Sequence, residues 1–382
     1  MFELNIRVGL MTFHAAHNYG SVLQAYATQK NIENLGYDCE IINYRLPNQL
    51  EYYNKLISTK FGKKAFLRGI LSLSEFLQRR EKREKFESFI HEKLRLSNGE
   101  IHTFQELSKM SLPYATLVTG SDQVWNTHCT AEFANEPADS IRGYFLDFGP
   151  DSIKRIAYSA SIGSMSKDEI AVFQKQLQKY DAISVREKDG AEIISRLLNR
   201  SVENTLDPTL LLNRKEWLDF AGEPKTVPQN PYIFVYTLTK STKQYYKMLS
   251  EIKAFAKRRN LEVVCVSPFR PGLLNGVKTD NACGPLDFLQ YLANASLVIT
   301  DSFHGTAFSI NLEVPFYTLN IGRDFRKQLL LEKVKLFDRL IHSTEDFIEI
   351  KDYSCDFTES RKLLEKEREC SIQYLRNALA VD

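Results

Sequence analysis

The sequence predicts an α/β protein built from two facing, doubly wound, Rossmann-like domains, the first of which carries a helical insertion. Three observations point to this class. Short apolar runs alternate with helix-period segments along most of the chain. A polar, proline-bearing stretch at about 213–230, with Pro224, Pro228 and Pro231, divides the alternation into two sets. The length of 382 residues suits two domains at roughly 100–200 residues each.

The first set opens with an apolar strand at 6–12, the polar loop FHAAHNYG, a helix at 21–35 with Ser21 as its cap, a stop at Gly36 and a strand at 39–44. Strand, helix and strand in so short a span form a βαβ unit. Strands at 115–119, 156–159 and 182–185 and helices at 167–180 and 187–198 continue the pattern. The second set has strands at 232–237, 261–267, 297–300 and 316–319, with helices at 242–259, 285–294 and 305–312. These assignments divide the chain into a first domain over 1–213, a second over 230–345, and a tail at 346–382 whose charged helix packs back on the first.

The insertion, about 61–94, is helical and heavily charged. It reads either as solvated surface helices or as a basic amphipathic patch, in which Lys60, Lys63, Lys64 and Arg68 flank Phe61, Phe66, Leu67, Ile70 and Leu71, resting on an anionic membrane.

Composition excludes several classes. Fifty Lys and Arg against 48 Asp and Glu leave a formal charge of +2, so no bulk attraction to nucleic acid is expected. Forty-three per cent hydrophobic residues can fill sizeable cores. The six cysteines are scattered, which indicates neither a zinc site nor a disulfide framework and fits a reducing, cytoplasmic location. His14 and His17 form H-x-x-H on a loop without a nearby glutamate, which is not a zinc signature. No apolar run approaches the ~20 residues of a membrane span.

Open α/β sheets bind ligands at strand-to-helix turns, so those turns carry the candidates. In TDSFHGTAF at 300–308 an apolar strand enters a polar turn and a small-residue helix. A helix N-terminus there attracts phosphate or carboxylate, His304 can move a proton beside it, Gly305 permits close approach, and Ser302 and Thr306 can donate. The same residues also read as an ordinary capped turn with a satisfied histidine. The turn GSDQVWN at 120–126 suits a carbohydrate, with Trp125 stacking and Ser121, Asp122 and Asn126 binding hydroxyls, or else it is a capped turn over a buried tryptophan. Asn18, Tyr19, Gly20 and Gln24 mark the first turn, which lacks dinucleotide-binding glycine spacing. Arg186 ends a strand where it can clamp an anion or pair with Glu187; Arg323, Arg326 and Lys327 follow the last strand.

The blocks NYGSVLQAY at 18–26, GSDQVWN at 120–126, SASIG at 159–163, SVRE at 184–187, DPTLLL at 207–212 and TDSFHGTAFS at 300–309, in this order, resemble the polysaccharide pyruvyl transferase family. The resemblance implies a GT-B-like fold. It also implies transfer of pyruvate from phosphoenolpyruvate, a co-substrate with no further cofactor or metal, to a sugar as a cyclic ketal, with release of phosphate. His304 falls on the family's S-x-H position and would be the principal proton-transfer and donor-binding residue, with Arg186 holding the donor's anionic groups. Where other branches carry R-L-H this chain has Ser302, Phe303 and His304, so Arg323 or Arg326 would supply the missing charge. The acceptor side would use Asn18, Tyr19, Gly20, Gln24, Ser121, Asp122, Trp125 and Asn126. The implied acceptor is a galactose-type residue of a bacterial capsular or exopolysaccharide repeat unit, lipid-linked at the cytoplasmic face of the inner membrane, where the basic patch would make a peripheral contact. A GT-B nucleotide-sugar glycosyltransferase and a non-enzymatic glycan-binding protein are the competing readings.

Overall fold

The computed structural model describes residues 6–49, 65–225, 227–267, 277–320, 325–343, 346–347, 350 and 352–380. Two parallel six-stranded sheets organise them. The first contains β1 (Arg7–Met11), β2 (Asp38–Ile41), β3 (Thr116–Thr119), β4 (Lys154–Ala160), β5 (Ala182–Val185) and β6 (Glu203–Asn204), in the order β2-β1-β3-β4-β5-β6. The second contains β7 (Tyr232–Tyr236), β8 (Glu262–Val266), β9 (Lys278–Thr279), β10 (Leu297–Thr300), β11 (Phe316–Leu319) and β12 (Leu340–Ile341), in the order β12-β11-β10-β7-β8-β9. Helices supply the crossovers. Strands TLVT, YIFVY, LVIT and FYTL are buried at every position, as expected where both faces of a parallel sheet are covered.

Strand order reverses between β1 and β3 in the first sheet and between β7 and β10 in the second. At such a switch point the connections leave in opposite directions and open a crevice beyond the strands' carboxyl ends.

The local elements follow from capping chemistry. The first long helix is Tyr19–Asn34, capped by Asn18, whose side chain accepts from the Ser21 amide at 3.3 Å. The cap is thus three residues earlier than Ser21, because Asn18 already offers an acceptor in extended backbone. The helix expected over 167–180 is two short pieces, Lys167–Ala171 and Gln174–Leu177.

Residues 1–53, 88–212 and 366–382 form one unit, and 54–87 and 213–365 the other. The described part of the insertion up to residue 87 therefore groups with the second unit, whereas the sequence places the whole insertion in the first domain. Lys85 reaches Asp287 Oδ2 at 2.9 Å, next to Gly284, which has no room for a side chain because an added Cβ would lie 2.7 Å from that of Lys85. Helix Ala65–Lys93 runs through this division. Of the basic patch, Lys60, Phe61, Lys63 and Lys64 lie outside the described residues, and for Phe66, Leu67, Arg68, Ile70 and Leu71 only the helical backbone is described. The end of helix Thr358–Leu379 attaches to the first unit: Arg368 Nε donates to the Leu210 carbonyl at 2.8 Å, Ser371 Oγ accepts from the Leu206 amide at 3.0 Å, and the Tyr374 hydroxyl donates to the Ala157 carbonyl at 2.9 Å.

Arg155 on β4 is buried, and its guanidinium donates to the carbonyls of Leu146 at 3.1 Å, Phe148 at 2.9 Å, Ile153 at 3.0 Å and Pro150 at 3.2 Å. This one side chain folds the 146–153 loop against the strand. Arg155→Met should lower the unfolding free energy by about 3–5 kcal/mol in urea titration, because several buried carbonyls lose their donor together.

Candidate functional site

Each switch point carries a polar turn from two crossing segments. In the first unit, β1 continues into Thr12 and β3 into Gly120, Ser121 and Asp122. Thr12 Oγ1 donates to the Ser121 carbonyl at 3.2 Å and accepts from Gln24 Nε2 at 2.8 Å. Gly120 is needed for this approach, since an added Cβ would lie 3.1 Å from the Thr12 Cβ. Asp122 adopts a left-handed backbone, with φ at 69°, and its Oδ2 accepts from Ser21 Oγ at 2.6 Å. Non-glycine residues in that region store strain of order 1 kcal/mol and cluster at functional sites. Ser159, at a register shift in β4, is a second such residue, with φ at 51°.

A buried charge network adjoins this turn. Asp207 Oδ1 accepts from the Thr209 amide at 3.0 Å and the Thr209 hydroxyl at 2.7 Å. Its Oδ2 accepts from Ser121 Oγ at 3.1 Å and Arg186 Nη1 at 2.6 Å. Glu187 Oε1 lies 3.6 Å from Arg186 Nε and accepts from Ser161 Oγ. The Ser161 amide donates to the Asp122 carbonyl at 3.0 Å, which joins the network to the Asp122 turn.

This geometry changes two sequence assignments. Arg186 is buried between two carboxylates, so its charge is already neutralised. It orders Asp207 and Glu187 rather than offering an anion clamp, and it belongs to the first unit, whereas His304 belongs to the second. Trp125 is fully buried, stacked on Phe145 at 5.2 Å and donating from its indole to the Tyr144 carbonyl at 3.1 Å. A core indole has no face left for a sugar. Tyr19 and Gln24 are also interior, Gln24 holding the Thr12 turn. Asn126 caps helix Thr127–Phe133, and its amide donates to Gln123 Oε1 at 2.7 Å. Asn18 and Gly20 start the first helix. His14 is a buried structural residue, its ring nitrogens 3.2 Å from the Thr12 carbonyl and 3.0 Å from Asn43 Oδ1.

In the second unit Asp301 joins the two strands of the switch point. Its Oδ2 accepts from Thr237 Oγ1 at 2.7 Å and its Oδ1 from the Leu238 amide at 2.6 Å, both just beyond β7. Burial pushes its carboxyl above the usual carboxylate value, against the pull of these two donors and of Lys327. Lys327 is wholly buried on helix Phe325–Lys333, and its ammonium donates to the carbonyls of Asp301 and Leu319 at 2.7 Å each. Ser302 caps helix Phe303–Asn311 by accepting from the Gly305 amide at 3.4 Å. His304 is thus the second helical residue, buried at 7% exposure and edge-on to Phe303 at 5.3 Å.

Gly305 sits directly on β10, where an added Cβ would be 2.3 Å from Thr300 Oγ1. Thr306 turns inward, its hydroxyl donating to the Ser302 carbonyl at 3.0 Å and pairing with Thr318 Oγ1 at 2.7 Å, so it shapes the turn instead of lining it. Arg326 places its guanidinium 5.9 Å from the Phe303 ring; Arg323 lies outside the described residues. Asp301, Thr237 and Lys327 complete the turn, and of these three the sequence singles out only Lys327, as one of three cations after the last strand. Their pairing depends on strand order, which no local spacing encodes.

The family model described as polysaccharide pyruvyl transferase matches residues 18–323, from the cap of the first helix to beyond the His304 turn. The chain belongs to the polysaccharide pyruvyl transferase family. This pyruvyl transferase family member matches no curated protein sequence. Similar solved structures include the UDP-GlcNAc 2-epimerase from Neisseria meningitidis bound to UDP-GlcNAc, at 11% identity and TM-score 0.51 over 98% of this chain and 96% of that one. Another is the S. aureus MnaA–UDP structure, at 12% identity and TM-score 0.52 over 98% of both chains. At such identity the likeness concerns the fold alone, which is GT-B-like.

The raised Asp301 carboxyl has a definite linkage sign. A group protonated more readily in the folded state contributes stability below its unfolded value near 3.8, and that contribution is lost as pH rises through the folded value. Asp301→Asn should therefore gain stability relative to the parent chain as pH is raised from ~3.5 to ~7, read from urea midpoints at each pH.

Proposed function

We propose that this pyruvyl transferase moves pyruvate from phosphoenolpyruvate to a galactose-type sugar of a bacterial polysaccharide repeat unit, forming a cyclic ketal and releasing phosphate. The observation that carries the donor half is the turn at His304, where a buried imidazole occupies the first turn of a capped helix, at the switch point between β7 and β10. A helix N-terminus favours an anion, and an imidazole beside it can deliver the proton that the enol CH2 must gain before C2 accepts an alcohol. Ser302 and Gly305 shape the approach, Thr306 fixes the turn from inside, and Lys327 keeps a positive charge beneath it. Arg326, half-buried beside Phe303, adds a cation for the carboxylate or phosphate.

The acceptor half falls to the first unit. There Glu187 and Asp207 share the Arg186 guanidinium, and the Asp122 carboxylate takes the Ser21 hydroxyl, a set of acceptors that suits the hydroxyls of a neutral sugar. In this reading Asn18, Gly20, Ser121, Asp122 and Asn126 border the acceptor, while Tyr19, Gln24 and Trp125 support them from the core. The acceptor is lipid-linked at the cytoplasmic face of the inner membrane. Among the described residues no helix is long and apolar enough to cross a membrane.

Incubation with phosphoenolpyruvate and a panel of short galactosyl acceptors should release phosphate in step with the mass gain of a pyruvyl ketal. A hexose added from a UDP-sugar instead would make the protein a glycosyltransferase. His304→Ala should lower turnover by ~10²–10⁴-fold with the fold intact, and near-parental turnover would remove His304 from the chemistry.

A further inference from the structure

Lys327 has no exposed surface, and an ammonium is costly to take out of water. A methionine would fill the same space without that cost. The Lys327 ammonium donates to the Asp301 and Leu319 carbonyls at 2.7 Å each. Both acceptors are neutral, so these bonds orient the ammonium without cancelling its charge. The Asp301 carboxyl oxygens are engaged elsewhere, by Thr237 Oγ1 at 2.7 Å and the Leu238 amide at 2.6 Å.

The peptide that Lys327 holds is the one that leads into the His304 turn. The Asp301 carbonyl and the Ser302 amide belong to one planar unit, in which Lys327 takes the carbonyl and the amide donates to Thr300 Oγ1 at 3.1 Å. Ser302 caps helix Phe303–Asn311, so the start of that helix, with His304 as its second residue, inherits the orientation of the fixed plane. Leu319 ends β11, which pairs with β10, and the ammonium therefore joins both strand ends. Lys327 also anchors the first turn of helix Phe325–Lys333. From there its neighbour Arg326 places a guanidinium 5.9 Å from the Phe303 ring, and Phe303 is edge-on to His304 at 5.3 Å. One buried ammonium thus sets an imidazole and a guanidinium about the same helix start, wholly within the second unit.

We infer that Lys327 is a positioning residue for the donor: it fixes the turn that carries His304 and Arg326, and its charge strengthens the hold of that turn on a multiply charged anion. The inference rests on the pyruvyl-transfer reading for the identity of the donor, and it gives the buried lysine a defined part, in donor affinity rather than in proton transfer. A charge in a site that excludes water is weakly screened, so it acts on an anion at the turn without touching it.

The test uses the full chain, Lys327→Met, which keeps the side-chain length without the charge, and Lys327→Arg, which keeps the charge. Binding of inorganic phosphate and of phosphoenolpyruvate is read by calorimetry with no acceptor present, and steady-state pyruvylation of a galactosyl acceptor is read beside it. In the parent chain, phosphate should slow amide hydrogen exchange in peptides covering 300–308 and 325–333. Lys327→Met should raise the phosphate Kd and the phosphoenolpyruvate KM by ~10-fold or more, with the acceptor KM within about twofold and kcat changed less than the donor KM. Lys327→Arg should recover most of the donor affinity, a rescue that a lysine kept only to fill space would not show. If the methionine variant does not fold, Lys327→Gln, which keeps a donor for one carbonyl, takes its place with the same expectation; if neither folds, the exchange measurement decides. The inference is overturned if phosphate leaves exchange in both peptides unchanged, or if a folded uncharged variant keeps both constants within about twofold of the parent. A loss wholly in kcat or in the acceptor KM, or a folded Lys327→Arg no better than the methionine variant, overturns it equally. A parent chain that binds phosphate and phosphoenolpyruvate at this turn yet pyruvylates no acceptor overturns the pyruvyl-transfer reading and leaves this role standing on the binding data, whereas a working parent beside an unaffected Lys327→Met overturns the role alone.

Discussion

The first unit depends on one carboxylate. Asp207 gathers donors from three places that are distant in sequence: Ser121 beyond β3, Arg186 beyond β5, and the amide and hydroxyl of its own turn at Thr209. Each bond is ordinary, but together they set the height at which three strand ends terminate. Two buried charges cost several kcal/mol to desolvate, and only tight geometry with additional hydrogen bonds offsets that. The same demand explains the surrounding hydroxyls: Ser161 on Glu187, Ser21 on Asp122 and Thr12 on the Ser121 carbonyl each answer an oxygen that would otherwise be buried without a donor.

The second unit meets an equivalent constraint with one carboxylate and one ammonium. Asp301 joins the ends of β7 and β10 through Thr237 and the Leu238 amide, while Lys327 draws the Asp301 and Leu319 carbonyls together from the next helix. A lysine with no exposed surface is rare unless its ammonium is satisfied, and here two strand-end carbonyls do so. The turn carrying His304 is consequently defined on both sides: Gly305 lies against Thr300, and the helix that follows is packed by Phe308 against Trp217 at 5.0 Å.

Most of this architecture was legible from sequence where the signal was local and strong. Runs such as YIFVY and LVIT announce strands buried on both faces, and the Pro-bearing stretch near 213–230 falls at the division of the units. The two-residue strands Glu203–Asn204, Lys278–Thr279 and Leu340–Ile341 were not legible, because an edge pairing that short has no periodicity. Partnerships were harder still. Nothing around Arg186 names Asp207, 21 residues on, and nothing around Lys85 names Asp287, 202 residues on. At Trp125 the polar turn leaves a sugar-stacking and a buried indole both open, and the buried one holds, because Phe145 and Tyr144, which enclose it, become neighbours only after the intervening short helices fold back.

The two turns also divide the charges in a way that bears on specificity. Near Asp122 the described carboxylates outnumber the one guanidinium, which pairs with Glu187 and Asp207, whereas the His304 turn combines a helix N-terminus with Lys327, Arg326 and the Asp301 carboxyl, which burial raises above its ordinary value. In the proposed reaction a multiply charged donor would be disfavoured by the first arrangement and favoured by the second, and an uncharged diol would hydrogen-bond to carboxylates without a matching cation. A near-neutral chain therefore does not need a basic surface to handle an anionic substrate. Local charges held at each turn suffice, and the hydrogen bonds of Asp207 in the first unit and of Lys327 in the second keep them in place.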